Sequence, residues 1–229
     1  MKKHLHAVAI DGPSGAGKST LARKAAERLH FLYVDTGAIY RSIGWYALKR
    51  GISLEQPEEI EALLPALKVR LSYGEDGLQH MLVNGEDVTD QIRLPEVSVA
   101  ASKVAAVPAV RAYLLDMQRQ LAREHDVIMD GRDIGTVVLP DADCKIFLTA
   151  SAQVRAKRRC IELEQRGTPQ PYEEVLADMH RRDEQDCNRA VAPLRQAEDA
   201  VLLDTSELDF ESSIDALVQI IKEKVTNEA

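Results

Sequence analysis

Residues 8–20 read VAIDGPSGAGKST and contain Gly12, Gly17, Lys18 and Ser19 in the spacing G-x-x-x-x-G-K-[ST]. A glycine-rich turn between a strand and a helix points its backbone N–H groups at phosphate oxygens, and the helix N-terminus adds partial positive charge. In this pattern the lysine bridges the β- and γ-phosphates, and the serine hydroxyl helps to hold Mg²⁺. The sequence therefore predicts a loop that binds the phosphate donor, ATP. The residues predicted to bind ATP are Gly12, Pro13, Ser14, Gly15, Ala16, Gly17, Lys18, Ser19 and Thr20.

Two further apolar segments end in an acid beside a glycine. FLYV runs into Asp35, and DVIM runs into Asp130 and Arg132. Ligands of open α/β sheets lie at the carboxyl ends of the strands, so we expect both acids on the same sheet edge as the glycine loop. Asp130 is a candidate partner of Mg²⁺ together with Ser19. Each acid taken alone also fits a helix N-cap or a turn.

Two helical segments carry unusual groups of arginine. Residues 155–159 read RAKRR, which places Arg155, Arg158 and Arg159 on one helix face, where like charges repel. Arg182, Asp186 and Arg189 are spaced i, i+4 and i+7 on one face of a second helix. Although charge runs are usually solvated surface, both groups suit an anionic ligand that removes the repulsion.

The elements that position these residues follow from the apolar pattern. LHAVAI, FLYV, DVIM, CKIFLT and DAVLL are short apolar runs, and the segments between them repeat at helical spacing. Strands alternating with helices predict an α/β, three-layer fold of the P-loop NTPase kind, with a parallel sheet flanked by helices. The final helix illustrates the pattern with the stripe Ile214, Leu217, Val218, Ile221 and Val225.

Two segments depart from this alternation. Residues 67–92 alternate in polarity around the turns 74–77 and Asn84-Gly85, which predicts a small antiparallel β insert. Residues 151–189 predict a helical hairpin, in which Pro171 suits a first helical position and Glu173 and Glu174 suit the first turn.

The amino-acid composition limits the kinds of molecule that the protein can bind. The chain has 229 residues, with 29 Lys and Arg against 37 Asp and Glu, a net charge of −8. Such a surface repels nucleic acid and anionic membranes, so phosphate chemistry must use local basic clusters. The apolar run after Lys2 and Lys3 is too short for a signal peptide, and the three cysteines lack metal-binding spacing. We expect a cytoplasmic protein that binds neither nucleic acid nor membrane.

The assembled motifs resemble those of bacterial cytidylate kinases, a family of nucleoside monophosphate kinases. The stretches that carry the resemblance are IDGPSGAGKST, DTGAIYR at 35–41, ASKVAAVPAVR at 101–111, DGRDIGTVVLPDADCKIFL at 130–148 and RDEQDCNRAVAPL at 182–194. The resemblance implies transfer of the γ-phosphoryl group of ATP to CMP or dCMP. It also implies a core of residues 1–37, 105–150 and 190–229, a monophosphate-binding subdomain of residues 38–104, and a lid of residues 151–189.

The resemblance also assigns roles to individual residues. By this resemblance, three arginines bind the phosphate of the acceptor: Arg41, Arg132 and Arg189. Those implied to read the cytosine are Ser102, Arg111 and Asp133. Those implied to face the ribose are Arg182 and Asp186, while Asp35, Thr36 and Tyr40 complete the CMP site. We expect Lys18 and the lid arginines Arg155 and Arg159 to stabilise the transferred group. The sequence departs from the common pattern of the family at two positions. Thr36 stands where the family often has serine, and Lys103, beside Ser102, stands where the family often has a neutral residue.

Three alternatives remain open on the residues alone. Another small-acceptor kinase of this fold, such as one for UMP or shikimate, would share the donor loop. A nucleotide-driven switch would also need that loop, but the chain lacks the guanine-reading motif N-K-x-D. A nucleic-acid-binding module is disfavoured by the acidic charge and by an aromatic content of 4%. We expect a monomer, because a closing lid needs free space.

Overall fold

A computed structural model describes residues 4–74, 77–165 and 167–226. Its strands are β1 (Ala7–Asp11), β2 (Leu32–Asp35), β3 (Val69–Tyr73), β4 (Gln79–Val83), β5 (Glu86–Asp87), β6 (Val127–Gly131), β7 (Cys144–Thr149) and β8 (Val201–Asp204). Its helices are α1 (Lys18–Leu29), α2 (Thr36–Lys49), α3 (Pro57–Leu63), α4 (Pro95–Val104), α5 (Pro108–Glu124), α6 (Ala152–Gln165), α7 (Tyr172–Cys187) and α8 (Phe210–Thr226). The chain divides into two compact units. The residues before Val34 and after Leu121 form the first unit, and Val34–Leu121 forms the second.

The first unit is built on a five-stranded parallel sheet in the order β2-β6-β1-β7-β8. Each apolar run in the sequence forms one of these strands, which confirms the α/β prediction. Several strands also take in the polar residue that follows the run, such as Asp11 and Asp204, because its backbone continues the strand. The strand order places the ends of β6, β1 and β7 side by side.

Helices α1 and α8 pack against this sheet in one core. The side chains of Ile10, Ile128 and Ile146 are fully buried there. The α8 stripe predicted from the sequence is confirmed at Ile214, Leu217, Val218 and Ile221, and Val225 packs at its edge. Burying one such side chain stabilises the fold by about 1.5–3 kcal/mol, so this core holds the sheet edge that carries the loop.

The helical hairpin also belongs to the first unit. Helices α6 and α7 share a small core of Ala156, Leu163, Val175 and Met179. The predicted position of Pro171 is wrong by one residue, because Pro171 is the N-cap and α7 begins at Tyr172. Its ψ of 137° is extended rather than helical. Glu173 and Glu174 do lie in the first turn, near the positive end of the helix dipole.

The second unit contains the predicted antiparallel insert as the meander β3-β4-β5. Asn84 and Gly85 both have positive φ, 52° and 87°, as a tight two-residue hairpin turn requires. Part of the other predicted turn, residues 75–76, lies outside the described residues. Helices α2 and α4 approach closely at Gly44, where a Cβ would lie 2.9 Å from the backbone nitrogen of Ala101.

Within the described ranges, no single helix is both long and apolar enough to cross a bilayer. One bent pair, Pro95–Val104 with Pro108–Glu124, reaches that length and composition only when the two helices are counted together.

Candidate active site

The loop between β1 and α1 depends on three glycines. Gly12, Gly15 and Gly17 have φ values of 151°, 75° and 88°. A Cβ on Gly12 would lie 1.9 Å from the carbonyl oxygen of Leu148 on β7, so no side chain fits there. The loop is therefore shaped by the adjacent strand as well as by its own sequence.

Helix α1 begins directly after this loop, and no side chain caps it. Its N-cap is Gly17, and no acidic residue lies in its first turn. The first backbone N–H groups of a helix need acceptors, and they carry about half a unit of positive charge. An uncapped start opposite a glycine loop is thus suited to phosphate oxygens.

Lys18 lies in this first turn with its side chain buried. Its Nζ donates a hydrogen bond of 2.7 Å to the carbonyl oxygen of Pro13. Burial and the nearby charge of Arg132 lower the pKa of Lys18 to about 7, although Asp130, Asp186 and Asp11 act in the opposite direction. A cation held in so dry a site has a strong interaction with any polyphosphate that reaches it.

Ser19 and Asp130 meet at the ends of α1 and β6. The hydroxyl of Ser19 donates to Oδ2 of Asp130 at 2.9 Å. Tyr33 on β2 donates its phenolic proton to Oδ1 of the same carboxylate, also at 2.9 Å. The two residues expected to share a Mg²⁺ ion are thus hydrogen-bonded to each other. No motif in the sequence singles out Tyr33.

Asp11 is a buried acid to which the sequence motifs assign no role. Its carboxylate accepts hydrogen bonds from the backbone N–H groups of Ile134 and Gly135, at 2.8 and 2.7 Å. Burial raises the pKa of Asp11 to about 6, against the lowering effect of these two bonds. The only sequence signal was an acid placed directly before the glycine motif. Asp11 fixes the segment that follows Arg132 to the strand that leads into the loop.

The arginine after β6 pairs with the hairpin. Nε of Arg132 donates to Oδ2 of Asp186 at 2.6 Å. The ion-pair partner of Arg182 is instead Asp178, one turn earlier on α7, with Nε of Arg182 3.7 Å from Oδ2 of Asp178. Asp133, next to Arg132, is buried.

Arg189 lies beyond α7 rather than on it. Helix α7 ends at Cys187, with Asn188 as its C-cap, so the predicted i+7 position on a helix face is wrong. The chain then turns back, because the N–H of Leu194 donates to the carbonyl of Asp186 at 2.8 Å. Arg189 is half-buried in this turn.

Arg155 is a buried junction between the loop and the hairpin. Its guanidinium donates to the carbonyl of Ser14 at 2.8 Å and forms two hydrogen bonds with the carboxylate of Asp183, one of them 2.9 Å. Its Nε donates to the carbonyl of Ala150 at 2.9 Å. The side chain is 4% exposed, so Arg155 positions the loop in this conformation.

The other two arginines of α6 have separate partners. Arg158 donates to the carbonyl of Thr205 at 2.8 Å. Arg159 pairs with Glu162 at 2.8 Å and is partly exposed. Protein groups therefore offset the repulsion expected among these arginines without any ligand.

In the second unit, Asp35 combines two roles. Its Oδ1 accepts from the N–H of Ala38 at 2.8 Å, so it is the N-cap of α2. Its Oδ2 accepts from Nη2 of Arg41 at 2.8 Å. Thr36, the first residue of α2, is buried. The N-cap alternative for Asp35 is correct, and the same carboxylate also orients Arg41.

Arg111 and Tyr40 also meet in the second unit. The guanidinium carbon of Arg111 lies 5.6 Å from the centroid of the Tyr40 ring, a cation–π distance. Arg111 is 9% exposed and donates to the carbonyl of Ala105 at 3.2 Å. Ser102 is exposed on α4, and its neighbour Lys103 pairs with Glu55. Glu55 thus offsets the extra charge that Lys103 brings beside Ser102.

A glycine-rich loop that leads into the uncapped start of α1, with the buried Lys18 in the first turn, defines a phosphate-loop protein. The cytidylate kinase family model matches residues 8–223. The chain is 49% identical over 225 residues to a cytidylate kinase of Desulfitobacterium hafniense, covering 98% of this chain and 96% of that one. It is 48% identical over 217 residues to a cytidylate kinase of Carboxydothermus hydrogenoformans, covering 95% and 97%.

The chain belongs to the cytidylate kinase family, and it is an ATP-dependent nucleoside monophosphate kinase. The alternatives with UMP or shikimate as acceptor are not favoured. A solved structure of an uncharacterised Eubacterium ventriosum protein shares the fold, with a TM-score of 0.53, 13% identity and coverage of 95% and 98%.

Proposed function

We propose that this kinase transfers the γ-phosphoryl group of ATP to CMP and to dCMP, with Mg²⁺ as cofactor, and releases ADP with CDP or dCDP. The single observation that supports the donor half is the hydrogen bond of 2.9 Å between Ser19 and Asp130 beside the buried Lys18. The family supports the acceptor half.

The side chains beside the loop fit Mg²⁺. A hydroxyl and a carboxylate are oxygen ligands, which Mg²⁺ prefers, and Tyr33 orients the carboxylate. Ser19 and Asp130 would hold the ion directly or through water. When bound, Mg²⁺ neutralises charge on the β- and γ-phosphates.

Lys18 and the uncapped start of α1 bind the donor phosphates. In the transfer step, an oxygen of the CMP phosphate forms a bond to the γ-phosphorus, and the bond to the bridging β,γ-oxygen breaks. The acceptor oxygen is already ionised at neutral pH, so the reaction needs no general base. The protein supplies alignment and positive charge instead.

Arginine side chains supply the positive charge for the acceptor. We assign Arg41, Arg132 and Arg189 to the phosphate of CMP. Arg132 now donates to Asp186, and Arg41 to Asp35, so each is held ready by a carboxylate that a phosphate oxygen can replace. Arg182 and the released Asp186 are assigned to the ribose.

The base-reading residues are Ser102, Arg111 and Asp133, with Tyr40 beside the nucleotide. Tyr40 lies under the guanidinium of Arg111 and limits its rotamers. A bidentate donor held in one orientation can select an acceptor-bearing base edge. Asp35 and Thr36 support this group from the start of α2.

Two arginines of the hairpin are assigned to the transferred group. Arg159 exchanges Glu162 for a phosphate oxygen, and Arg155 exchanges Asp183. We further propose that the protein acts as a cytoplasmic monomer and binds neither nucleic acid nor membranes.

A coupled assay of ADP release from Mg·ATP tests the proposal against CMP, dCMP, UMP, AMP, GMP and no acceptor. We expect strong stimulation by CMP and dCMP. Equal release without an acceptor, or stimulation only by another monophosphate, would overturn the acceptor assignment. The second result would leave the donor loop intact.

A further inference from the structure

Two histidines and an aspartate meet at the end of the sheet away from the glycine loop. His4 and His6 precede β1, and Asp143 precedes β7. These strands pair in parallel with Val8 opposite Cys144, so the residues just before each strand run side by side. The nucleotide chemistry described above uses none of the three.

Their donor atoms converge. Nε2 of His4 lies 2.8 Å from Oδ1 of Asp143, and Nδ1 of His6 lies 3.9 Å from Oδ2. One donor atom from each residue lies within 4.8 Å of the other two. Ligands about 2.1 Å from a tetrahedral metal ion are about 3.4 Å apart, so small side-chain rotations bring all three atoms to that spacing.

His6 is the residue that a simple ion pair does not explain. Its Nδ1 is buried and has no hydrogen-bond partner among the described residues. A buried polar nitrogen without a partner destabilises the fold, because its hydrogen bonds to water are lost and not replaced. The lone pair of a neutral imidazole nitrogen is also the form that binds a metal ion.

The backbone around the three residues is fixed. The N–H of Ala7 donates to Oδ2 of Asp143 at 2.6 Å, and the N–H of His6 donates to Asp126 at 2.8 Å. The ring of His6 stacks on Phe31 with an interplanar angle of 8°. Hydrogen bonds to a ligating carboxylate, such as that from Ala7, strengthen metal sites.

The ligand types select the metal. Two imidazoles and one carboxylate favour a borderline transition metal over Mg²⁺, which prefers oxygen ligands only. We infer that His4, His6 and Asp143 form a Zn²⁺ site with one position open to water, separate from the Mg²⁺ site at Ser19 and Asp130.

The test measures Zn²⁺ binding to the full chain without nucleotide, by competition with a chromophoric chelator. The background carries Cys160→Ser and Cys187→Ser, because half-exposed and exposed thiols bind Zn²⁺ themselves. We expect one Zn²⁺ per chain. His4→Gln, His6→Gln and Asp143→Asn should each lower the affinity by more than about tenfold, since loss of even an outer-shell partner costs about 10–100-fold.

His180→Gln, on the exposed surface of α7, is the matched control and should bind Zn²⁺ like the background protein. Co²⁺ gives a second readout, because tetrahedral Co²⁺ with nitrogen and oxygen ligands has strong visible bands without the near-ultraviolet band of a thiolate. His4 is exposed, so His4→Gln should fold normally and remain interpretable. Absence of stoichiometric binding, unchanged affinity in His4→Gln and His6→Gln, or a thiolate band would each overturn the site.

Discussion

The hydroxyl of Ser19 and the carboxylate of Asp130 are joined by a hydrogen bond of 2.9 Å, although 111 positions separate the two residues in the chain. One belongs to the glycine motif and the other to the neighbouring strand β6. Their contact is created by the parallel pairing of β1 with β6.

Asp130→Asn should lower kcat/KM for ATP by at least about a hundredfold, or about 2.7 kcal/mol, and raise the Mg²⁺ concentration needed for half-maximal rate. The reason is that an amide is a weaker ligand than a carboxylate. Tyr33→Phe is the control, because it removes the hydrogen bond from Tyr33 to Asp130 and leaves Ser19 in place. We expect less than about a tenfold loss there. Normal Mg²⁺ dependence in Asp130→Asn would contradict the assignment.

Lys18→Ala should lower turnover by orders of magnitude without loss of fold, as checked by circular dichroism. The pH dependence of Mg·ATP binding gives a finer test. The pKa of Lys18 is about 7 in the free protein, because of burial and Arg132, and bound phosphates must raise it.

Binding therefore takes up a proton above pH 7, and the affinity falls as the pH rises, by at most about tenfold per unit. Calorimetry from pH 7 to 9 measures this slope. Lys18→Arg stays charged and should give a flat profile over the same range. A slope shared by both proteins would show that Lys18 is not its origin.

Asp11 should make the protein less stable as it ionises. Its folded pKa of about 6 lies above the unfolded value of 3.8, so its protonation stabilises the fold fully below pH 3.8, and this contribution is lost as the pH rises through 6. Asp11→Asn cannot titrate. The free energy of unfolding of the wild type minus that of Asp11→Asn should fall by on the order of 1–3 kcal/mol between pH 4 and 7. Urea unfolding measures it, and a constant difference would refute the prediction.

The two ion pairs of α6 should differ in their effect on stability. Asp183→Ala leaves the guanidinium of Arg155 buried without its carboxylate partner. We expect this change to lower the free energy of unfolding by about 1–3 kcal/mol. The loss is smaller than for a fully buried pair, because the side chain of Asp183 is 27% exposed. Glu162→Ala removes the partner of the more exposed Arg159 and should cost about 0–1 kcal/mol. Denaturant titrations of both variants check the order. Equal losses would mean that burial does not distinguish the pairs.

Arg111→Ala should reduce the preference for CMP over other monophosphates by about tenfold or more, with the KM for ATP nearly unchanged. The reason is that a buried guanidinium beside Tyr40 is the group assigned to the base. Arg123→Ala, exposed near the end of the same helix, is the matched control. Steady-state kinetics with CMP, UMP and AMP compares the three proteins. Unchanged selectivity in Arg111→Ala would remove its base-reading role.

The fold could be predicted because its signals are local. CKIFLT forms β7 at the predicted bounds, and the α8 stripe faces the core, since alternation of apolar runs and helical spacing follows from burial. Helix ends were less predictable. Pro171 caps α7 instead of starting it, and Arg189 lies past its end, because the turn there depends on a hydrogen bond from Leu194 to Asp186.

The contacts around the proposed donor site could be predicted only in part. Lys18, Ser19 and Asp130 follow from a motif and a strand end, but pairings between distant charges do not. Sequence spacing predicts that Asp186 neighbours Arg182. In the structure, Asp186 instead forms an ion pair with Arg132, and Asp183 forms one with Arg155. Which acid meets which arginine depends on how α7 packs, and one sequence contains no direct record of that packing.

The bridging position of Arg155 has a thermodynamic consequence. One guanidinium holds both the carbonyl of Ser14 in the donor loop and the carboxylate of Asp183 on α7, so the two segments share a partner. Suppose that a ligand on the loop changes the equilibrium constant between two positions of the hairpin by some factor. The affinity for that ligand then differs between the two positions by the same factor, because coupling is reciprocal. If bound ATP shifts the hairpin in this way, a cross-link that fixes α7 would therefore change the affinity for ATP.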